Sequence, residues 1–112
     1  MKQAAPQALV VASEDGNRVI IIAGTLHLEA DSRDEYLTAV ADVAVEARRA
    51  PGCLDFVQAA DPIDPERINV YERWASDGDL LRFRDVGGIN PALPPLAAAA
   101  VAKYLIAAVE AP

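Results

Sequence analysis

A chain of 112 residues, 53% of them hydrophobic, is long and apolar enough to form one domain with a real core, which excludes general disorder. The formal net charge of −7 argues against nucleic acid or an anionic membrane as the main partner, because both are bound by basic surfaces. One cysteine and one histidine leave no intramolecular disulfide and little material for a transition-metal site. The sequence has no membrane-spanning run and no visible secretory signal, so we expect a cytoplasmic protein.

The N-terminal part of the chain predicts an arm followed by a strand. Residues 1–17 are rich in Ala, Gln and Pro and end in a polar turn, so we expect the domain to occupy residues 18–112. Residues 18–28 alternate two sets of apolar side chains, which predicts a strand covered on both faces. The chain's own helices can cover one face. Few elements remain for the other, so we expect a homodimer in which a second copy covers it.

The next elements are a helix and a second strand. Ser32 and Glu35 have the spacing of a capping box, and the helical stripe that follows ends at Pro51-Gly52. Cys53–Ala60 reads as a strand with Leu54 and Phe56 on one face and Cys53 and Val57 on the other.

A hairpin and a second helix follow. The turn-rich residues 61–65 predict a connection to a third strand, Arg67–Trp74, which alternates cleanly and carries the only Trp. Ser76 and Asp79 approximate a capping box, so the third strand runs directly into a helix near residues 77–85, which Gly87-Gly88 should end. Such a strand–helix junction is a common place for a pocket.

The C-terminal segment is ambiguous. Two prolines followed by four alanines favour a short helix near residues 94–101, and residues 103–110 could continue it or form a strand. The preceding order β-α-β-β-α favours a closing strand. The sequence therefore predicts an α+β, ferredoxin-like βαββαβ protomer with an antiparallel sheet.

Three short motifs, in this order and spacing, resemble the antibiotic biosynthesis monooxygenase (ABM) family. They are the turn into the second strand (APGCL, residues 50–54), the hairpin with Asp61 and Asp64-Pro65, and ERWAS (residues 72–76) leading into Leu80. The similarity covers residues 18–86. It implies a dimeric α/β barrel in which two sheets pack face to face, with a pocket between the sheet and the helices of each protomer.

The resemblance also carries expectations about activity. Some members oxygenate quinols or polycyclic phenols with molecular oxygen and neither flavin nor metal, whereas others degrade haem. Many members carry a His nine residues beyond the Trp, the axial ligand in the haem degraders, and this chain has Phe83 there. Some phenol-oxidising members carry an Asn four residues before the Trp, where this chain has Val70. Haem degradation is therefore disfavoured, and quinol oxygenation would have to proceed without the polar side chains that members of the family carry at these two positions.

Three residues are candidates for catalysis, each with a plainer alternative. Trp74 would be an aromatic wall whose N–H donates to a substrate oxygen, or else a core residue. His27, with a pKa normally near 6.5, would be the base that deprotonates a phenol, although a half-exposed position at a strand end is the simpler interpretation. Glu72 shares the face of Trp74 and could be a base, but pairing with Arg73, Arg82 or Arg84 is preferred.

The remaining candidates would contact the substrate. The side chains that could line or plug the pocket are Tyr36, Val70, Phe83 and Tyr104, each with a core role as the alternative. Asn69 and Tyr71 lie on the face opposite Trp74 and would then face the dimer interface.

The leading hypothesis is a homodimeric monooxygenase-like protein that oxidises a planar phenol or quinol with molecular oxygen, without a cofactor. The alternative is a non-catalytic ligand-binding or structural dimer on the same fold. The two are distinguished by whether Trp74, His27 and Glu72 converge on one accessible cavity.

Overall fold

The computed structural model describes residues 18–86 and 92–112. The described elements are strand β1 (Ile20–His27), helix α1 (Ala30–Arg49), strands β2 (Cys53–Ala60) and β3 (Arg67–Trp74), helix α2 (Asp77–Val86) and strand β4 (Ala98–Leu105). The four strands form one antiparallel sheet in the order β2-β3-β1-β4. This is the predicted ferredoxin-like βαββαβ arrangement. The 1–17 arm and the break at Gly87-Gly88 lie outside the described residues.

The sheet has one face towards the helices and one open face. Strand pairing places Ile20, Ile22 and Leu26 of β1 in register with Trp74, Glu72 and Ile68 of β3, and these six residues are buried. Helix α1 packs on β2 and β3 and helix α2 packs on β3, so the core lies between the helices and this face. The alternation that predicted two faces in β1 and β3 is therefore confirmed. Neither helix, within the part of the chain that the structure describes, is long and apolar enough to span a membrane.

Helix α1 begins earlier than its sequence signal. The predicted capping box of Ser32 and Glu35 is wrong, because the N-cap is Glu29 and has no side-chain capping bond. The N–H of Ser32 already donates to the Glu29 carbonyl oxygen at 2.9 Å, so Ser32 lies within the first turn. Only Leu28 and Glu29 separate β1 from α1, and Ala30 favours helix. The first turn of α1 is therefore closed by the backbone hydrogen bond from Ser32 to Glu29 and not by a side-chain cap.

The connection between β2 and β3 is fixed by the side chain of Asp61. Its carboxylate accepts hydrogen bonds from the N–H groups of Ile63 (3.0 Å) and Asp64 (2.8 Å) and from the Asn69 amide (2.9 Å). These bonds favour the charged form and lower the pKa of Asp61 to about 2. Arg33 of α1 donates to the Asp64 carbonyl oxygen at 2.9 Å, which ties this turn to the helix layer.

Strand β2 contains a bulge that changes which residues face the core. Cys53 is opposite Trp74 and Asp55 is opposite Arg73, so Leu54 is an extra residue between two consecutive pairs. Leu54 is consequently 47% exposed, while Cys53 packs against the core on the same side as Phe56. The predicted pairing of Leu54 with Phe56 on one face is wrong, because strict alternation does not hold across a bulge.

The C-terminal strand is real, but it lies earlier in the chain than predicted. The expected short helix at 94–101 is absent, since residues 92–96 have no regular structure and β4 begins at Ala98. The strand ends at Leu105, so the prediction of a strand over 103–110 is also wrong in its bounds. Backbone pairing with β1 along the whole of β4 outweighs the helix preference of an alanine run.

Candidate functional site

The central feature of the helix-facing side is a hydrogen bond between two buried residues at the end of β3. The indole N–H of Trp74 donates to Oε1 of Glu72 at 3.0 Å. Trp74 is fully buried, and Glu72 retains 9% of its surface. Residues two apart on a strand point to the same face, which is why the sequence places these side chains together. The carboxyl is thus the more accessible member of the pair.

Glu72 is shifted towards its neutral form. Burial raises its pKa above the ordinary value, while the Trp74 N–H and the charge of Arg84 act in the opposite direction. Of the three arginines predicted to pair with Glu72, Arg73 follows the alternate face of β3 and Arg82 pairs with Asp79. Arg84 acts on Glu72 through its charge. A carboxyl whose pKa is raised in this way can accept a proton more readily than an exposed one.

Phe83 connects this pair to the rest of the helix layer. Its ring lies 5.4 Å from the Trp74 ring and 6.5 Å from the Phe56 ring, measured between centroids. Val70 is buried on the same face of β3, two residues before Glu72. Tyr36 of α1 is also buried in the core. Three aromatic side chains therefore form a row from Phe56 of β2 through Phe83 of α2 to Trp74 of β3.

The helix-facing side is open beside β4. The register aligns Glu72, Ile22 and Lys103 in one row across β3, β1 and β4, and Val70, Gly24 and Val101 in the next. All eight residues of β4 are exposed. The polar end of this surface is marked by Lys103, which pairs with Asp77 at the start of α2 at 2.6 Å. Ile22 of β1 lies between Glu72 and the exposed strand in this row.

A separate cleft of about 220 Å³ lies between the end of α1 and the start of α2, and we call it the interhelical cleft. Its apolar lining is Ala50, Pro51 and Phe83. Its charged lining consists of two acid–arginine pairs, Glu46 with Arg49 and Asp79 with Arg82. Trp74 and Glu72 do not line it.

The turn before β2 brings the two walls of this cleft together. The Ala75 N–H donates to the Gly52 carbonyl oxygen at 2.7 Å, and the Asp79 side chain packs directly over Gly52. Gly52 has φ +84°, a left-handed conformation that favours glycine, and a Cβ there would collide with Asp79. The predicted Ser76 N-cap is confirmed, because the Asp79 N–H donates to Ser76 Oγ at 3.1 Å, and the Asp79 carboxylate accepts from the Ser76 hydroxyl at 2.9 Å. Arg82 and Ser76 lower the pKa of Asp79.

Two predicted site residues lie on the open face of the sheet. His27 and Tyr104 alternate with the residues that face the helices, so the sheet separates them from Trp74 and Glu72. The His27 ring nitrogen Nε2 lies 3.1 Å from Thr25 Oγ1 on that same face. Asn69 and Tyr71 share it, as expected from the sequence. The three catalytic candidates therefore do not converge on one cavity.

Sequence reasoning missed the arginine and the turn residues of the interhelical cleft. Arg49 carries no functional signal in the sequence, Ala50 and Pro51 belong to the turn motif of residues 50–54, and Asp79 indicates only a cap. One signal for the cleft was available in the sequence. The first helix ends just before Gly52 and the second begins just after Ser76, and both residues adjoin the same end of the β2–β3 pair. Among residues 18–86 and 92–112, no group of three His, Cys, Asp or Glu side chains is placed to hold a metal ion.

Comparison with known proteins identifies a family match. Residues 19–88 match the model of the antibiotic biosynthesis monooxygenase (ABM) family. No curated protein matches the chain.

Solved structures share the fold at low sequence identity. A protein from Bacteroides thetaiotaomicron, described as a conserved protein of unknown function and possible oxidoreductase, is 15% identical with a TM-score of 0.65, covering 80% of this chain and 99% of that one. A proposed antibiotic biosynthesis monooxygenase from Nitrosomonas europaea is 19% identical with a TM-score of 0.56, covering 84% and 94%. The haem degrader MhuD from Mycobacterium tuberculosis, which holds two haems in its active site, is 21% identical with a TM-score of 0.57, covering 79% and 94%.

Proposed function

Because the chain belongs to the antibiotic biosynthesis monooxygenase family, we propose that it is a monooxygenase-like protein that oxidises a small planar phenol or quinol with molecular oxygen and no cofactor. The observation that carries this proposal is the buried Glu72 carboxyl, held by the Trp74 N–H in the same row across the helix-facing side of the sheet as the exposed Lys103 of β4. Phe83 cannot ligate iron, which disfavours haem breakdown.

Glu72 is the proposed base. An ordinary phenol has a pKa of about 10 and is mostly protonated at neutral pH, whereas its anion can give an electron to oxygen. Burial raises the pKa of Glu72 and so strengthens it as a proton acceptor. Trp74 positions the carboxyl rather than forming the wall of the pocket, because its ring is fully buried. His27 is not assigned to this site, since it lies across the sheet.

The proposed reaction balances without a redox group in the protein. Glu72 takes the phenolic proton, and the substrate anion reduces oxygen by one electron. In the enol tautomer that carries this hydroxyl, the reacting ring carbon is a CH. The radical pair forms a carbon–oxygen bond at that carbon, and the proton that returns from Glu72 gives a hydroperoxide. Loss of water from the hydroperoxide leaves a carbonyl, so that, counted on the keto tautomer, CH₂ and O₂ become C=O and H₂O. The protein contributes orientation of the substrate relative to Glu72.

Oxygen uptake tests this proposal. We expect wild-type protein to consume oxygen with dihydroxynaphthalenes or anthrones, above autoxidation, with a chelator present and no flavin or metal added. Glu72→Gln keeps an acceptor for the Trp74 N–H but cannot take the proton, so uptake should fall about 10²-fold. The exposed Glu66→Gln is the matched control and should retain activity. Equal uptake by Glu72→Gln and wild type would contradict a role for Glu72 as the base.

The second candidate function is ligand binding without catalysis. Its support is twofold. Trp74, His27 and Glu72 do not converge on one cavity, and Val70 and Phe83 stand at two positions that are polar in some catalytic members of the family. Under this alternative no substrate of the panel gives uptake dependent on the protein. Changes in Trp74 fluorescence on adding the same compounds would then identify a binding module.

We also propose a homodimer formed through the open face of the sheet. Apolar side chains on this face, which the helices do not cover, are Ile21, Ala23, Val57, Tyr71 and Tyr104. Half-exposed apolar residues on a central strand favour burial against a second copy.

Placing a charge in the middle of the open face tests the homodimer. We expect Ile21→Lys to sediment as a folded monomer while wild type sediments as a dimer, because a buried unpaired ammonium opposes association. Leu81→Lys adds the same charge at a 44% exposed position on α2 and should leave the dimer intact. A dimeric Ile21→Lys protein would place the interface elsewhere.

A further inference from the structure

We propose that the interhelical cleft binds a small planar aromatic carboxylate, at a site distinct from Glu72. Its volume of about 220 Å³ lies below the range of roughly 300–1,000 Å³ for drug-sized ligands, which suits one or two fused rings. The lining combines an apolar floor with two arginines and two acids at its edge, and Arg49, which makes no hydrogen bond to its acid, offers a positive group to a ring that carries a negative one.

The floor of the cleft is rigid and aromatic. Phe83 faces the cleft on one side and is held on its other side by the rings of Trp74 and Phe56. Ala50 and Pro51 complete the apolar surface, and neither has a flexible side chain. A planar ring can therefore stack on Phe83 without ordering a mobile wall, which lowers the entropic cost of binding.

The two arginines differ in how fully they are engaged. Arg82 donates to Asp79 at 2.8 Å, and Asp79 also accepts the Ser76 hydroxyl at 2.9 Å, so this acid is neutralised within the protein. Arg49 lies 3.7 Å from Glu46, too far for a hydrogen bond, and its side chain is 74% exposed. Arg49 can thus present its guanidinium to a carboxylate in a two-point contact.

The cleft functions independently of oxygen chemistry. Phe83 stands between the cleft and Trp74, and Glu72 does not line the cleft. Binding there needs neither a proton acceptor nor oxygen. The proposed oxygenase activity and this binding site can therefore fail separately.

Isothermal titration calorimetry with 2-naphthoate tests the site. We expect saturable binding to wild type and about tenfold weaker binding to Arg49→Gln, because the charge-assisted contact is lost. Arg48→Gln is the matched control: Arg48 is the adjacent arginine, donates to the Phe56 carbonyl oxygen at 2.9 Å, and lies outside the cleft lining. Its affinity should stay within about twofold of wild type, and neutral 2-naphthamide should bind about tenfold more weakly than 2-naphthoate.

Four outcomes would overturn the proposal. They are no saturable heat with wild type, equal affinities of Arg49→Gln and wild type, equal affinities of the amide and the acid, and loss of naphthoate binding in Glu72→Gln. The last outcome would place the ligand at Glu72. Normal naphthoate binding together with absent oxygen uptake would instead support the cleft and contradict the oxygenase.

Discussion

Replacing Trp74 by alanine should bring the protein close to unfolding. The fully buried indole contacts Phe83 and holds the Glu72 carboxyl, so its removal leaves a large cavity and a buried acid without its donor. Large-to-small changes of this kind cost about 3–5 kcal/mol in the free energy of unfolding, out of a typical total of about 5–15 kcal/mol. Urea denaturation followed by circular dichroism measures the loss.

Trp74→Phe separates the hydrogen bond from the packing. Phenylalanine keeps an aromatic ring but loses the N–H that favours the charged form of Glu72, so the pKa of Glu72 should rise further. When the pKa of a carboxyl is higher in the folded than in the unfolded protein, the stability that it contributes is fully present below its unfolded-state pKa. That stability is lost as the pH rises through the folded-state pKa. Trp74→Phe should therefore be more destabilising at pH 8 than at pH 4. A pH-independent difference from wild type would contradict the preference of the Trp74 N–H for the charged form of Glu72.

Gly24→Ala should detach or displace β4. Gly24 has φ +153°, and a Cβ there would collide with the carbonyl oxygen of Ala100 and the Cα of Val101. Both are backbone atoms, so no side-chain rotation relieves the contact and the strands must move apart. We expect a loss of about 2–4 kcal/mol in the free energy of unfolding from strain and overpacking.

Two measurements check this effect. Hydrogen exchange should show the amides of β4 exchanging faster in Gly24→Ala, while the amides of β2 keep their protection. Gly78→Ala is the control: Gly78 is an exposed residue of α2, with nothing nearer to its added Cβ than Ser76 Oγ at 3.7 Å. That variant should gain about 0.5–1 kcal/mol from helix propensity. Unchanged stability and unchanged β4 protection in Gly24→Ala would contradict the close approach of β1 and β4.

Local patterns in the sequence were sufficient for much of the fold. Alternation in residues 18–28 and Arg67–Trp74 assigned the two faces correctly, because side chains on a strand point to opposite sides in turn. The Ser76 cap was readable, since its partner Asp79 is three residues away. For the same reason the sequence placed Glu72 and Trp74 on one face. The motif order also indicated the family that residues 19–88 match.

The tertiary structure alone decided the features that depend on distant residues. Pairing with β1 made a strand of Ala98–Leu105 despite its alanines, and the bulge at Leu54 turned Cys53 towards the core. The side of the sheet on which His27 lies was readable, but its separation from the Glu72 site required knowing which face the helices cover. The interhelical cleft joins residues near 50 and 80 in the chain, so it exists only after packing. Periodicity and capping act over a few residues, whereas a cleft is made by elements that meet only in the folded chain.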